Sequence, residues 1–180
     1  MRVIAGRLGG RRLKAPRGRV TRPTSDRVRE ALFAMLGPVE GASVLDLFAG
    51  TGALGIEALS RGAERAVFVE RDARVARVLN DNLAALGLGS QLAEVRCADA
   101  LGALRSARGR KETYDLLFID PPYRQANEWA PELSATLPSL LRPGARIVVE
   151  SDRGAPLELE VPVERQRRYG HTSITIHRHQ

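Results

Sequence analysis

From Ser43 onward, short apolar runs alternate with amphipathic stretches, and that order is what most limits the folds open to this chain. Val44 to Phe48 reads as a strand, Ala53 to Ser60 as a helix and Ala66 to Glu70 as a second strand; Ala73 to Leu86 follows as a helix with Val75, Ala76, Leu79, Leu83 and Leu86 inward. Glu94 to Ala98 makes a third strand, Leu101 to Ala107 a short helix, Tyr114 to Ile119 a fourth strand, Asn127 to Leu141 a helix and Ala145 to Ser151 a fifth strand. Strands separated by helices pair in parallel, and the helices then cover both faces, so the expected class is α/β. The tail leaves the pattern. Leu157 to Val163 and Ser173 to His177 alternate with period two around Tyr169-Gly170, as a closing antiparallel hairpin would.

Ahead of this region, Met1 to Pro16 reads as two short strands around Gly9-Gly10, a basic β-hairpin. After Arg22-Pro23, Thr24 or Ser25 can cap a helix with Asp26 in its first turn and Val28, Ala31, Leu32, Met35 and Leu36 at helical spacing, stopped by Gly37-Pro38. Arg27 and Arg29 are expected at the exposed start of that helix. We divide the chain into a basic N-terminal hairpin arm, residues 1–22, and a catalytic domain, residues 23–180.

Charge follows the same division. The chain carries a net +7 with a pI near 10.6. Residues 1–29 hold ten Lys or Arg against Asp26 alone, and residues 165–180 hold four Arg and no acid; the stretch between them has 14 basic and 20 acidic side chains. Basic ends on an acidic core suit a polyanion ligand, because neutralising phosphates supplies much of nucleic-acid affinity. A genome rich in G and C would explain the use of 26 Arg and two Lys, but not their segregation. The single cysteine, Cys97, excludes an internal disulfide and a cysteine-based zinc site; it is expected to be a small buried apolar residue in a reducing cytoplasm. Neither a secretory leader nor an uncharged run of transmembrane length is present, so a soluble cytoplasmic protein with no membrane partner is expected.

The fourth strand runs into Asp120-Pro121-Pro122-Tyr123. Two prolines fix φ at about −65° and remove two donors, so the turn is stiff and its carbonyls stay free. The Asp120 carboxylate and the Pro121 carbonyl can accept both hydrogens of one exocyclic amine, and Tyr123 offers a face for a base to stack on. Asp46-Leu-Phe-Ala-Gly50-Thr-Gly52-Ala-Leu-Gly55 follows the first strand and opens a helix, with Glu70 ending the second strand 20 residues after Gly50. Formally this is the dinucleotide fingerprint. The glycines and Glu70 suit either a dinucleotide or S-adenosylmethionine. Asp46 separates them, since a carboxylate there would repel a pyrophosphate but can accept from a methionine ammonium, directly or through water. Asp99 can meet the adenine amine or cap the helix from Leu101, and both can hold at once.

The segments Asp46 to Ala58, Phe118 to Tyr123 and Arg22-Pro-Thr-Ser-Asp-Arg-Val-Arg-Glu-Ala-Leu-Phe33 together resemble the RsmD-type bacterial 16S ribosomal RNA guanine-N2 methyltransferases. The resemblance spans nearly the whole chain, and the Arg22 to Phe33 segment is its most specific part. It implies a Rossmann-like, seven-stranded methyltransferase sheet, S-adenosylmethionine as cofactor and no metal. Transfer of a methyl group to the N2 amine of a guanine in 16S RNA or a small-subunit particle, by a monomer, is the implied activity. The cofactor would lie against Asp46, Phe48, Gly50, Thr51, Gly52, Glu70, Asp99, Ala100 and Asp120, and the target amine at Asp120, Pro121, Pro122 and Tyr123. Arg7, Arg11, Arg12 and Lys14, with Arg17 and Arg19, would clamp phosphates, while Arg22, Thr24, Asp26 and Arg27 line the entrance.

Three competing readings have sequence-level tests. A DNA or RNA adenine-N6 methyltransferase could use the same Asp-Pro-Pro-Tyr turn, but a DNA enzyme would need a target-recognition region that is not evident in 180 residues. An NAD-dependent oxidoreductase would need a substrate domain. A plain RNA-binding module would leave Asp46 and Asp120 idle. His171, His177 and His179 read as tail residues, and Trp129 and Tyr169 as core or rim packing.

Overall fold

In a computed structural model, which describes residues 1–16, 25–121, 126–152, 154 and 156–180, the alternating elements assemble as one sheet. The strands are β1 (Ser43–Asp46), β2 (Arg65–Glu70), β3 (Ala93–Cys97), β4 (Tyr114–Ile119), β5 (Leu141–Asp152), β6 (Val163–Tyr169) and β7 (Thr172–Arg178). The helices are α1 (Asp26–Leu36), α2 (Ala53–Ser60), α3 (Ala73–Ala85), α4 (Ala100–Gly109) and α5 (Ala126–Thr136), the last continued by a 3-10 turn over Leu137–Leu140. The seven strands lie in the order β3-β2-β1-β4-β5-β7-β6; the first five in sequence are parallel and β7 is antiparallel to both of its neighbours. The strand order reverses between β1 and β4, where an open α/β sheet leaves a crevice beyond its strand ends.

Alternation along the central strands feeds two cores. Val44, Phe68, Leu116, Phe118 and Val148 pack beneath Leu32, Phe33 and Leu36 of α1 and Ile56 and Leu59 of α2. Leu45, Val67, Leu117, Ile147 and Val149 pack on the other face against Leu104 of α4 and Leu133 of α5. Ser25 caps α1 by accepting from the Val28 N–H, and Gly37, at φ 75°, ends it with its N–H donating to the Phe33 carbonyl. Among the described residues no helix is long and apolar enough to cross a membrane.

Residues 1–13 fold back on themselves with a single antiparallel bridge, Arg2 to Arg12, rather than as two full strands. They are bound to the helices. The buried Glu57 carboxylate accepts from the N–H groups of Ile4 (2.7 Å) and Ala5 (3.0 Å) and from Arg61 Nε (2.7 Å). Ser60 takes the Leu8 N–H on its hydroxyl at 3.0 Å and donates to the Ala5 carbonyl, and Asn82 on α3 exchanges two bonds with Lys14. Val3 and Leu13 are buried in the α1 core.

Four sequence expectations are corrected. Arg29 is not at an exposed helix start: it is wholly buried on the same stripe as Leu32, Phe33 and Leu36, donating to the Arg2 carbonyl and to Asp26. Desolvation lowers its pKa, partly offset by Glu57 and Asp26. Cys97 is exposed, because it ends the edge strand β3. The sixth strand is Val163–Tyr169, not Leu157 to Val163; Leu157 and Val161 are buried, but from a loop. His177 is no tail residue either. It sits buried in β7 with Nδ1 donating to the Val161 carbonyl at 2.8 Å, and burial lowers its pKa.

Candidate active site

At the β1/β4 divide the chain leaves each strand beside the other. Asp46 pairs with Phe118; beyond them the Leu47 N–H donates to the Phe118 carbonyl at 3.0 Å and the Ala49 N–H to the Val69 carbonyl at 2.9 Å. The backbone after β1 therefore crosses the sheet end before entering α2, turning through Gly50 (φ 54°) and Gly52 (φ 87°). Gly52 stands at the cap position of α2 and has no side chain to satisfy the first N–H groups of that helix. Asp46 supplies the missing acceptor: its Oδ2 takes the Gly55 N–H at 3.0 Å. The approach depends on glycine, because a Cβ on Gly55 would lie 2.3 Å from Phe68 Cε1 and one on Gly52 2.3 Å from Leu79 Cδ1. At Gly50 a Cβ would meet nothing within 4 Å, so the loop crest faces open space.

Glu70 closes the loop from the other side. Its Oε2 accepts from the Gly50 N–H at 3.0 Å and its Oε1 from the Asp72 N–H at 2.8 Å. Each oxygen retains acceptor capacity. The Thr51 carbonyl accepts from Asn82 Nδ2 at 3.1 Å, which connects the loop through one side chain to Lys14 of the N-terminal segment. Asp99, exposed beyond β3, caps α4 by accepting from the Gly102 N–H at 2.8 Å, and Ala100 begins that helix. Phe48 stacks on Trp129 of α5 with centroids 5.1 Å apart and planes 20° apart.

Asp120 follows β4 directly and is joined by Glu150, which β5 places in the next row beyond the Ile119–Val149 pair. Four carboxyl groups thus share one end of the sheet: Asp46, Glu70, Asp120 and Glu150. Burial pushes the Asp46 carboxyl up to about 7, against the bond from Gly55, with Glu70 adding to the rise. Burial also raises the Asp120 carboxyl well above the usual range, reinforced by Glu150 and then Asp46. Such a strip repels polyphosphate and favours a cation, or a group that gives up a proton. It suits S-adenosylmethionine, whose ammonium and sulfonium are positive and whose ribose diol and adenine amine are donors.

Of the residues expected at the site, Asp46, Phe48, Gly50, Thr51, Gly52, Glu70, Asp120 and the buried Pro121 gather at the strand ends, and Asp99 and Ala100 start the adjoining helix. Pro122, Tyr123, Arg17, Arg19, Arg22 and Thr24 lie outside the described residues. Arg7, Arg11, Arg12 and Lys14 are exposed on the docked N-terminal segment, and Arg27 is exposed near the start of α1. The sequence reading missed Glu150, although an acid ending the apolar run Ile147-Val148-Val149 is the same signal as Asp46 and Glu70. It also missed Glu57 and Asn82, which fix the loop's surroundings. Among the described residues no group of three or more His, Cys, Asp or Glu could hold a metal ion.

The family described as conserved hypothetical protein 95 matches residues 1–178. YlbH of Bacillus subtilis is 41% identical over 186 residues, covering 99% of this chain and 98% of that protein. Ribosomal RNA small subunit methyltransferase D of Haemophilus influenzae is 40% identical over 159 residues, covering 87% of this chain and 81% of that protein. The solved structure of yhhF from Escherichia coli has a TM-score of 0.82 at 35% identity, covering 100% of this chain and 98% of that one.

Proposed function

The chain belongs to the RsmD-type ribosomal RNA methyltransferase family, and from that membership we propose that it methylates the exocyclic N2 amine of one guanine in 16S RNA of the small subunit. Dependence on S-adenosylmethionine and action on ribosomal RNA follow from the family. The Asp120-Pro121-Pro122-Tyr123 turn supports an exocyclic amine as the target, since its acceptors match an amine and its aromatic a base; the choice of guanine N2 rests on the family resemblance, most specifically through Arg22 to Phe33. We place the protein in the cytoplasm, acting as a monomer on 16S RNA or a small-subunit particle, with residues 1–22 as the RNA-facing arm and 23–180 as the catalytic domain.

When bound, S-adenosylmethionine supplies an electrophilic sulfonium methyl. Asp46 would accept from its ammonium, Glu70 from its ribose diol and Asp99 from its adenine amine, with Phe48, Gly50, Thr51, Gly52 and Ala100 forming the cradle. The guanine nitrogen is a weak nucleophile, because its lone pair is delocalised into the ring. Asp120 and the Pro121 carbonyl would accept its two hydrogens and so aim the lone pair; positioning of this kind is worth about 7 kcal/mol or more in favourable cases. Tyr123 would stack on the extruded base, a contact worth about 1–3 kcal/mol. Asp120 is also suited to take the proton released once the nitrogen has been methylated, since its raised pKa makes it a better acceptor than an ordinary aspartate.

The observation that carries this reading is the gathering of Asp120, Asp46 and Glu150 at the strand ends, beside a glycine loop whose crest faces open space. It is tested by incubating the protein with methyl-labelled S-adenosylmethionine and either 16S RNA or small-subunit particles lacking the modification, with DNA as control, followed by nucleoside mass spectrometry. Labelled N2-methylguanine at one site is expected. Label in N6-methyladenine, or none in RNA, would overturn it.

A further inference from the structure

A cleft lined by four carboxyl groups repels the polyanion it has to admit, so cations must flank it. Among the described residues the N-terminal segment provides them on the side of α2 and α3, which pack on β1, β2 and β3. The opposite side of the sheet ends in β6. Glu150 pairs with Ile174 and Ile174 with Arg167, so Arg167 lies in the row that continues from Asp120, and Arg168 lies one row further out, opposite Ser173. Three strand spacings separate β4 from β6, a span of about 14 Å. That reaches the nucleotides flanking an extruded base.

The two arginines straddle the edge. Arg167 shares a face with its partner Ile174, which is buried beneath α1, and Arg168 lies on the other face with Ser173. Their neighbours are already engaged: Arg165 donates to the Met35 carbonyl at 3.2 Å, and Arg178 is 3.9 Å from Glu164. Arg167 and Arg168 are exposed and form no ion pair among the described residues. Any charge would protect an edge strand from pairing with another chain. Protection alone does not explain why the acid and the amide, Glu164 and Gln166, come early in β6, while the two adjacent arginines without an ion pair come just before Tyr169 at its catalytic end.

We propose that the catalytic end of β6, through Arg167 and Arg168, holds the phosphate backbone of the RNA beside the target nucleotide, so that the substrate spans the cleft between this edge and the N-terminal segment. This rests on the RNA methyltransferase reading above and adds to it the second wall of the binding surface.

The test compares wild type with Arg167→Gln/Arg168→Gln and with a control, Arg108→Gln/Lys111→Gln, at the far end of α4. Binding to 16S RNA and to small-subunit particles lacking the modification is measured as a function of salt, alongside methyl transfer, thermal midpoint and light scattering. The β6 variant is expected to keep the wild-type midpoint and the kcat at saturating RNA. Its KM for RNA should rise roughly tenfold, and its slope of log affinity against log salt should fall by about 1.4, two phosphates at about 0.7 each. The control should match wild type. An unchanged salt slope in a β6 variant, while wild type binds and methylates RNA, overturns this proposal and leaves the methyltransferase reading standing. A wild-type dimer that the β6 substitutions dissociate would assign the edge to a second copy and overturn it equally. Wild type that neither binds nor methylates RNA overturns both.

Discussion

Asp46 Oδ2 accepts the Gly55 N–H at 3.0 Å, so the last residue of β1 serves as the cap that the α2 terminus lacks. The same carboxyl is 2% exposed, and its pKa is pushed up to about 7 from 3.8.

The sign of that shift sets a pH dependence. Between about pH 4 and 7 the folded protein holds a proton on Asp46 that the unfolded chain has released, so this contribution to stability falls as pH rises through that window. Asp46→Asn keeps an acceptor for Gly55 and has no charge to bury. Calorimetry at pH 8 is expected to show it more stable than wild type by about 2 kcal/mol, some 4–8 °C in Tm, with most of the gap gone at pH 5. The substitution should cost about tenfold in S-adenosylmethionine affinity by titration calorimetry, near 1.4 kcal/mol. Equal melting at both pH values would refute the buried-charge account.

Asp120→Ala is expected to lower kcat by about 10²- to 10⁴-fold while cofactor affinity stays within a few-fold of wild type. The wild-type rate should fall toward acid pH through an ionisation above the usual carboxylate range, because the carboxyl must be ionised to accept from the amine. Asp120→Asn should lose that limb, as read from kcat/KM against pH.

Glu57→Ala leaves two backbone donors, Arg61 Nε and the buried Arg29 without the carboxylate they face. A loss of about 3–5 kcal/mol in urea denaturation is expected. Hydrogen exchange at Ile4 and Ala5 should accelerate ahead of that of the sheet. Glu57→Gln, which retains one acceptor, should fall between.

Gly55→Ala forces a methyl against the Phe68 ring and should cost about 1–3 kcal/mol. Phe68→Leu in the same chain is expected to recover part of that loss if the clash is the cause, measured as the urea midpoint of the single and double variants.

Most of the sheet was legible because its strands are buried on both faces. α2 and β4 occupy Ala53–Ser60 and Tyr114–Ile119, the spans that their apolar runs mark out. β6 was misplaced for the opposite reason: Val163 to Arg168 are all exposed, so there was no apolar period to read, while Leu157 and Val161 imitate one from a loop. Arg29 was hidden by its residue type, although its spacing from Leu32, Phe33 and Leu36 marks the inward stripe. Asp46, Glu70 and Asp120 could be found because an isolated charge closing an apolar run is conspicuous; Glu150 closes such a run too and was passed over. Glu57 could not, since its partners are main-chain groups more than 50 residues away and carry no side-chain signature.

Those separations also order the chain's assembly. Ile4 to Lys14 have their partners on Glu57, Ser60 and Asn82, and Lys14 waits 68 residues for its own. At about 5–20 residues per second, that is an interval of roughly 3–14 s in which this segment has α1 to pack on but lacks its bond to α3. It is fastened onto a helical layer, α2 and α3, that is synthesised after it. A truncation there would strip Glu57, Ser60 and Asn82 of these partners and leave the faces of α2 and α3 beneath the segment to water.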